Sequence, residues 1–117
     1  MISAPFTYLI GASKINAVSV SVNWRLAAPE MEYVLNHAEV KVLLIGEEAL
    51  GHLAQTELET VTKIVVVGDG GEHDSYQDWL SGYADDDPKA EVGWTDTCYQ
   101  LYTSGTTGLP KGVELTN

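Results

Sequence analysis

The chain has 117 residues, 44% of them hydrophobic, which is enough for one modest core. Its 17 acidic and 6 basic residues give a formal net charge of −11, which argues against nucleic acid or an anionic membrane surface as a partner. No apolar run approaches the ~20 residues of a transmembrane helix, and the first residues lack the basic start of a signal peptide, so we expect a cytoplasmic protein.

Helix and strand patterns alternate along the chain. Apolar residues at helical spacing and short β-rich runs predict four helices and four strands. The predicted helices are residues 5–17, a segment from Pro29 to Ala38, residues 47–59 and residues 76–83, and the predicted strands are residues 18–22, 41–45, 64–67 and 98–103. This alternation predicts an α/β fold, namely a doubly wound, mostly parallel sheet with flanking helices, present here as a partial domain.

The predicted helices carry apolar faces that should turn toward the sheet. The residues expected to face inward are Met31, Val34, Leu35 and Ala38 on the second helix, Leu50, Leu53, Ala54 and Leu58 on the third, and Trp79 and Leu80 on the fourth. Residues 84–95 are predicted to form a polar connection, in which the acidic run Asp85–Asp87 is typical of a solvated loop.

Residues 103–112 combine glycine, hydroxyl and lysine residues in a way that indicates phosphate binding. Gly105, Gly108 and Gly112 permit positive φ and allow backbone N–H groups to approach an anion closely. The side-chain hydroxyls that can donate to phosphate oxygens belong to Thr103, Ser104, Thr106 and Thr107. Lys111 supplies a compact cation, which suits contact with phosphate as a point charge.

This loop differs from two other kinds of glycine-rich segment. The P-loop motif G-x-x-x-x-G-K-[ST] requires glycine directly before its lysine, whereas Lys111 lies between Pro110 and Gly112. A flexible Ser/Thr/Gly linker would lack the Pro-Lys-Gly end and the strand-like flanks. Because the buried strand predicted at residues 98–103 leads into the loop, we predict a phosphate cradle at the carboxyl end of a strand, where open α/β sheets bind ligands.

Other candidate sites carry weaker signals. Residues 68–71 lack the G-x-G-x-x-G spacing of a dinucleotide fingerprint and are better explained as an acidic turn after a strand. His37, His52 and His73 share no metal-ligand spacing, so no metal site is predicted. Cys98 has no second cysteine to pair with, and its strand context is typical of a small buried hydrophobic residue.

The twelve residues Tyr102–Val113, YTSGTTGLPKGV, resemble the signature of the AMP-forming acyl-CoA synthetases. These enzymes belong to the adenylate-forming superfamily, which also contains firefly-type luciferases and peptide-synthetase adenylation domains. Residues Leu9–Leu26 are similar to the helix, strand and N-x-R-L turn near the start of that catalytic domain, and Glu32–Leu35 and Lys41–Ile45 continue the likeness. On this resemblance, residues 1–117 are an internal fragment of the AMP-binding N-terminal domain, truncated just after the phosphate-binding loop.

The resemblance implies a two-step ligation in the parent protein. A carboxylate attacks the α-phosphate of Mg²⁺-bound ATP to give an acyl-adenylate and pyrophosphate, and the thiol of coenzyme A then displaces AMP. Carried over by position, the ATP-binding residues would be Thr103, Ser104, Gly105, Thr106, Thr107, Gly108 and Lys111. Lys111 would also act catalytically, by offsetting the charge that develops on the pyrophosphate leaving group. ATP, Mg²⁺, coenzyme A and a carboxylic acid are therefore the implied ligands.

Residues Val113–Thr116 resemble the acyl-CoA ligases more than the peptide-synthetase domains, which favours a fatty acid as substrate and leaves an aryl or other short acid open. The family's adenine, Mg²⁺ and thiol-step motifs would follow Asn117, so the fragment alone is expected to be inactive. The alternative is a non-catalytic α/β nucleotide-binding or interaction module. The gene beyond Asn117 discriminates the two, since a family-like continuation supports the enzyme and a stop codon supports the module.

Overall fold

The structure, a computed structural model, describes residues 4–103 and 108–117. Its helices are α1 (Ala4–Lys14), α2 (Ala28–His37), α3 (Leu50–Leu53) and α4 (Tyr76–Ser81), and its strands are β1 (Ser19–Ser21), β2 (Val42–Gly46), β3 (Lys63–Val67), β4 (Asp74–Ser75), β5 (Thr97–Thr103) and β6 (Lys111–Thr116). One turn of 3₁₀ helix, Glu47–Ala49, precedes α3. The predicted α/β class is confirmed, and three of the four strand pairings in the described residues are parallel.

The strands are divided over two three-stranded sheets, although the sequence predicts one layer. One sheet has the order β2-β3-β4 and is parallel throughout. The other has the order β1-β5-β6, in which β5 is parallel to β1 and antiparallel to β6. The sheets belong to two compact units: Val22–Ala84 form one, and the described residues up to Ser21 and from Asp85 onward form the other.

In the unit of residues 22–84, the most deeply buried side chains belong to α2 and β3. The side chains that are 4% exposed or less in this unit are Met31, Val34 and Leu35 of α2 and Val65 and Val66 of β3. The helix starts where the sequence predicts, next to Pro29, and the carboxylate of Glu30 accepts a hydrogen bond from the backbone N–H of Ala27 at 3.2 Å. The predicted inward face of α2 is confirmed, with Ala38 half-buried just beyond its end.

The helix predicted over residues 47–59 is wrong beyond Leu53. Two backbone N–H groups of residues 57–59 donate to side chains of α2, at 2.8 Å to the carboxylate of Glu32 and 2.9 Å to the amide oxygen of Asn36. These long-range bonds replace the intrahelical ones, so the chain crosses to β3 without regular structure. Of the residues expected to face inward, Ala54 is exposed and Leu50, Leu53 and Leu58 are half-buried.

The fourth helix buries its first residue more deeply than the two residues predicted to face inward. Leu80 is 40% exposed and Trp79 is half-buried, whereas Tyr76 is only 7% exposed. The hydroxyl of Ser75 accepts a hydrogen bond from the backbone N–H of Asp78 at 3.2 Å and caps the helix. The helix therefore starts directly after β4, a two-residue strand too short to produce an alternation in the sequence.

In the other unit, α1 ends at Lys14 rather than at residue 17. Asn16 adopts a φ of 56°, and the backbone N–H of Ala17 donates to the carbonyl of Ala12 at 2.9 Å. A left-handed asparagine with such a bond is a common way to end a helix. The chain then enters β1, where Ser19 is 3% exposed.

The strand predicted at residues 98–103 forms as β5, but it is neither the last strand nor a buried one. Its residues are half-buried or exposed, and β6 returns antiparallel beside it. The pairing register shifts between Thr97 and Tyr99, which leaves Cys98 as the extra residue of a bulge. Cys98 is half-buried and its thiol donates to the carbonyl of Leu115 at 3.4 Å, so the expectation of a buried hydrophobic residue is wrong.

Candidate functional site

A β-hairpin closes the predicted phosphate loop. β5 ends at Thr103, β6 begins at Lys111, and the two residues are opposite each other in the antiparallel register, next to the pair Tyr102 and Gly112. The strand predicted to lead into the loop is thus confirmed. The predicted site residues Ser104, Gly105, Thr106 and Thr107 lie outside the described residues. The first and last residues of the predicted cradle, Thr103 and Lys111, are brought together by the pairing of their strands.

Lys111 is exposed at the start of β6. Alternation along the strand places it on the same face as Val113 and on the opposite face from Gly112 and Glu114. Within residues 4–103 and 108–117, no ion pair involves Lys111. Pro110, directly before it, is buried. The lysine therefore places an exposed positive charge at the base of the loop.

The structural reason for glycine differs between Gly108 and Gly112. Gly108 has a φ of 140° with open space around it, in agreement with the predicted need for a left-handed residue. Gly112 lies in extended backbone, so its predicted positive φ is wrong. A Cβ at Gly112 would lie 3.1 Å from Cζ of Tyr102, and the amide nitrogen of Gln100 donates to the hydroxyl of that tyrosine at 3.3 Å.

Sequence reasoning missed this contact between Tyr102 and Gly112. The available signal was positional, because the two residues flank the loop symmetrically, each one step outside the Thr103–Lys111 pair. A glycine opposite an aromatic residue in a hairpin is a known packing arrangement.

Hydrogen bonds hold two aspartates, one in the predicted polar connection and one directly after it. Asp85–Asp87 are exposed, as predicted, and Asp87 forms an ion pair with Lys14 at 2.7 Å, a hydrogen bond that lowers the pKa of the Asp87 carboxyl. Hydrogen bonds from the backbone N–H of Gly93 (2.8 Å) and the side chain of Asn16 (2.9 Å) lower the pKa of Asp96. Both carboxylates thus stay charged to a lower pH than free aspartate.

The pKa of Asp96 provides a test of this geometry. We expect Asn16→Ala to raise the pKa of Asp96 toward the ordinary value of about 4, because one donor to the charged form is lost. Since the folded-state pKa is lowered, the stabilisation is fully present above the unfolded pKa and is lost as the pH falls through the folded one. Carboxyl-carbon NMR titration measures the change, with Asn36→Ala as the control. Superimposable Asp96 titrations in wild type and Asn16→Ala would contradict the assignment.

The remaining sequence candidates show no convergent chemistry. Residues 68–71 form a turn in which Asp69 Oδ1 accepts from the N–H of Gly71 at 3.0 Å, and Glu47 accepts from the N–H of Asp69 at 2.7 Å. In the part of the chain that the structure describes, no group of three His, Cys, Asp or Glu side chains could hold a metal ion. The acidic-turn interpretation therefore accounts for the contacts of residues 68–71.

A groove of about 520 Å³ opens on the unit of residues 22–84. Apolar side chains of Leu50, Leu53, Leu58 and Ile64 line it, with His73 among the polar residues. Of the predicted site residues that the structure describes, none lines this groove. Separately, no helix in the described ranges has the length and apolar character needed to cross a membrane.

Comparison with known proteins shows the family to which the chain belongs. The sequence profile of a family described as AMP-binding enzyme matches residues 4–117. The chain is 38% identical over 111 residues to the fatty acid–[acyl-carrier-protein] ligase ScoC of Streptomyces coeruleorubidus, covering 94% of this chain and 20% of that protein. It is also 38% identical over 103 residues to the long-chain-fatty-acid–CoA ligase FadD13 of Mycobacterium tuberculosis, covering 88% of this chain and 20% of FadD13.

Solved structures agree with the sequence relatives. The crystal structure of the anthranilate CoA ligase AuaEII in complex with anthranoyl-AMP superimposes with a TM-score of 0.84 at 31% identity, covering 97% of this chain and 23% of that one. The chain thus spans about a fifth of the length of the relatives it matches. The resemblance to the AMP-forming acyl-CoA synthetases that the loop motif indicates is confirmed. Because the family profile extends over residues 4–117, the chain belongs to the AMP-binding enzyme family.

Proposed function

We propose that the full-length protein carrying this chain is an ATP-dependent, AMP-forming acid–thiol ligase, most simply a fatty acyl-CoA synthetase. It activates a carboxylic acid as the acyl-adenylate and transfers the acyl group to coenzyme A. The observation that carries the proposal is the hairpin that sets Thr103 opposite Lys111 at the base of the glycine–hydroxyl loop, in a chain of the AMP-binding family. We place the reaction in the cytoplasm, where ATP is available.

The loop residues have distinct roles in this proposal. Hydroxyls and backbone N–H groups bind the ATP phosphates, and the residues concerned are Thr103, Ser104, Gly105, Thr106, Thr107, Gly108 and Lys111. Lys111 stabilises the negative charge that develops on pyrophosphate as it leaves. ATP must approach a chain of net charge −11, which makes this exposed cation, and Mg²⁺ accompanying the nucleotide, important for binding.

The relatives support two acceptors and two acid classes. FadD13 is a long-chain-fatty-acid–CoA ligase, whereas ScoC is a fatty acid–[acyl-carrier-protein] ligase. The acceptor thiol therefore belongs to coenzyme A in one case and to a carrier protein in the other. AuaEII is an anthranilate CoA ligase, which keeps aryl acids as the alternative to fatty acids. A fatty acid and coenzyme A are the proposed pair, and an acyl-carrier protein is the second candidate acceptor.

The function is tested by ATP–pyrophosphate exchange with the full-length protein. We expect exchange that depends on a fatty acid and on Mg²⁺, followed by thioester formation when coenzyme A is added. Benzoate-type acids and a phosphopantetheinylated acyl-carrier protein serve as the competing acid and acceptor. Absence of acid-dependent exchange with every acid would refute the adenylating activity, and a thioester only on the carrier protein would replace coenzyme A as acceptor.

The isolated chain of residues 1–117 provides a second test. We expect it to form no detectable acyl-CoA, because it spans about a fifth of the length of relatives that catalyse such reactions. We also expect weak or no binding of ATP, since Lys111 acts against a net charge of −11. Mass spectrometry of the reaction products measures the first and calorimetry the second, and detection of acyl-CoA from the purified chain would contradict the expectation.

A further inference from the structure

The face of the hairpin opposite Lys111 carries a contact whose geometry depends on glycine. Gln100 and Tyr102 lie two residues apart on β5 and therefore share one face, and Gly112 is the partner of Tyr102 on β6. A Cβ on Gly112 would lie 3.1 Å from Cζ and 3.3 Å from the hydroxyl oxygen of Tyr102. Gln100 donates to that hydroxyl at 3.3 Å. The tyrosine ring thus lies across the bare backbone of Gly112.

At the end of the hairpin away from the loop, β6 is held by the bulge at Cys98 and by Asn117, whose side chain donates to the carbonyls of Gly93 and Asp96 at 3.0 and 3.2 Å. Every residue of β6 is exposed, and β5 is its only partner strand in the sheet that the structure describes. The apolar side chains of β6, Val113 and Leu115, are 46% and 44% exposed. An exposed strand with weak packing specifies its register poorly, and a slip by one residue moves every side chain to the other face.

Such a slip would carry Lys111 away from the face on which it lies opposite Thr103. The ring over Gly112 resists it, because a slipped register would place Lys111 or Val113, each with a Cβ, where the tyrosine ring would have to shift to make room. At the loop end of the hairpin, the contact therefore favours the register in which the lysine stands at the base of the loop.

We infer that Tyr102, oriented by Gln100 and packed over Gly112, is a positioning residue that fixes the hairpin register and so holds Lys111 in place for the ATP phosphates. This inference rests on the proposed function, and it gives a role to Tyr102, Gln100 and Gly112, which are uncharged. Lys111 acts on the phosphates, and the Tyr102–Gly112 contact acts only through Lys111.

The test uses the full-length protein and the variants Tyr102→Ala, Gly112→Ala and Tyr102→Phe. For the two alanine variants we expect kcat/KM for ATP in pyrophosphate exchange to fall by roughly 10- to 100-fold, as displaced reacting groups cause. Tyr102→Phe keeps the ring over Gly112 and should stay within about threefold of wild type. In a Lys111→Ala background, Tyr102→Ala should lower kcat/KM for ATP by less than about a further twofold, because the lysine through which Tyr102 acts is already absent.

Amide hydrogen exchange separates this inference from the proposed function, because it needs no activity. Tyr102→Ala and Gly112→Ala should speed amide hydrogen exchange in peptides covering residues 103–112 and leave the exchange rate of β3 unchanged. Tyr83→Ala is the control, because Tyr83 is 70% exposed. A wild type without pyrophosphate exchange refutes the proposed function, and the hydrogen-exchange result then decides the register role. The inference would be overturned if amide hydrogen exchange and kcat/KM for ATP were unchanged in both alanine variants. It would also be overturned if Tyr102→Ala lowered kcat/KM equally with and without Lys111.

Discussion

Replacing Lys111 by alanine in the full-length protein is expected to slow acyl-adenylate formation by roughly 10²- to 10³-fold, the loss typical when one group that stabilises developing negative charge is removed. The lysine is exposed, makes no ion pair with the described residues, and lies opposite Thr103 at the base of the loop. In the proposed reaction, its positive charge would act on the pyrophosphate leaving group of the first half-reaction, whereas the thiol step would release AMP and gain less from it.

The two half-reactions can be measured separately. Pyrophosphate exchange reports adenylate formation, and a synthetic acyl-adenylate supplied with coenzyme A reports the thiol step. Lys41→Ala is the matched control, because Lys41 is also exposed but lies in the other unit, just before β2. Equal slowing of both half-reactions by Lys111→Ala would contradict the leaving-group role.

Truncating Leu35 to alanine is expected to lower the free energy of unfolding by about 2–5 kcal/mol, since the site loses both buried apolar surface and packing contacts. Leu35 is 1% exposed on α2, among the most deeply buried side chains of the unit of residues 22–84. Urea unfolding of the protein that carries the chain, followed by the midpoint of the first transition, measures the effect.

Leu80→Ala provides the matched comparison for Leu35→Ala. Both leucines lie on helices of the same unit, but Leu80 is 40% exposed, so its truncation should cost about 1 kcal/mol or less. Equal shifts of the midpoint in the two variants would show that burial at α2 does not distinguish these positions.

The local patterns predicted the elements whose structure is set by neighbouring residues. The apolar face of α2, the strands near residues 41–45 and 64–67, and the strand leading into the phosphate loop all follow from periodicity and β-branched content. Errors arose where distant residues decide the outcome. The third helix stops at Leu53 because Glu32 and Asn36, about twenty residues earlier, bind the backbone that would have continued it.

The candidate site divides in the same way. The twelve-residue motif Tyr102–Val113 indicated the family through its resemblance to a known signature, whereas its glycines, hydroxyls and one lysine by themselves predict only phosphate binding. The roles of all the predicted site residues, Thr103–Gly108 and Lys111, stay predictions, and Ser104–Thr107 lie outside the described residues. The contact between Tyr102 and Gly112 is visible only in the structure, because the residue types alone predict a positive φ at Gly112, which the structure does not show.

The sequence by itself determined the α/β class and the core helix α2, and it predicts phosphate binding by the loop, because each depends on residue types at short spacing. Only the tertiary structure decided the division into two sheets, the return strand β6 and the register that sets Lys111 opposite Thr103. These features depend on contacts between strands far apart in the chain or across a turn, whose free energy comes from packing and hydrogen bonding that no local pattern records.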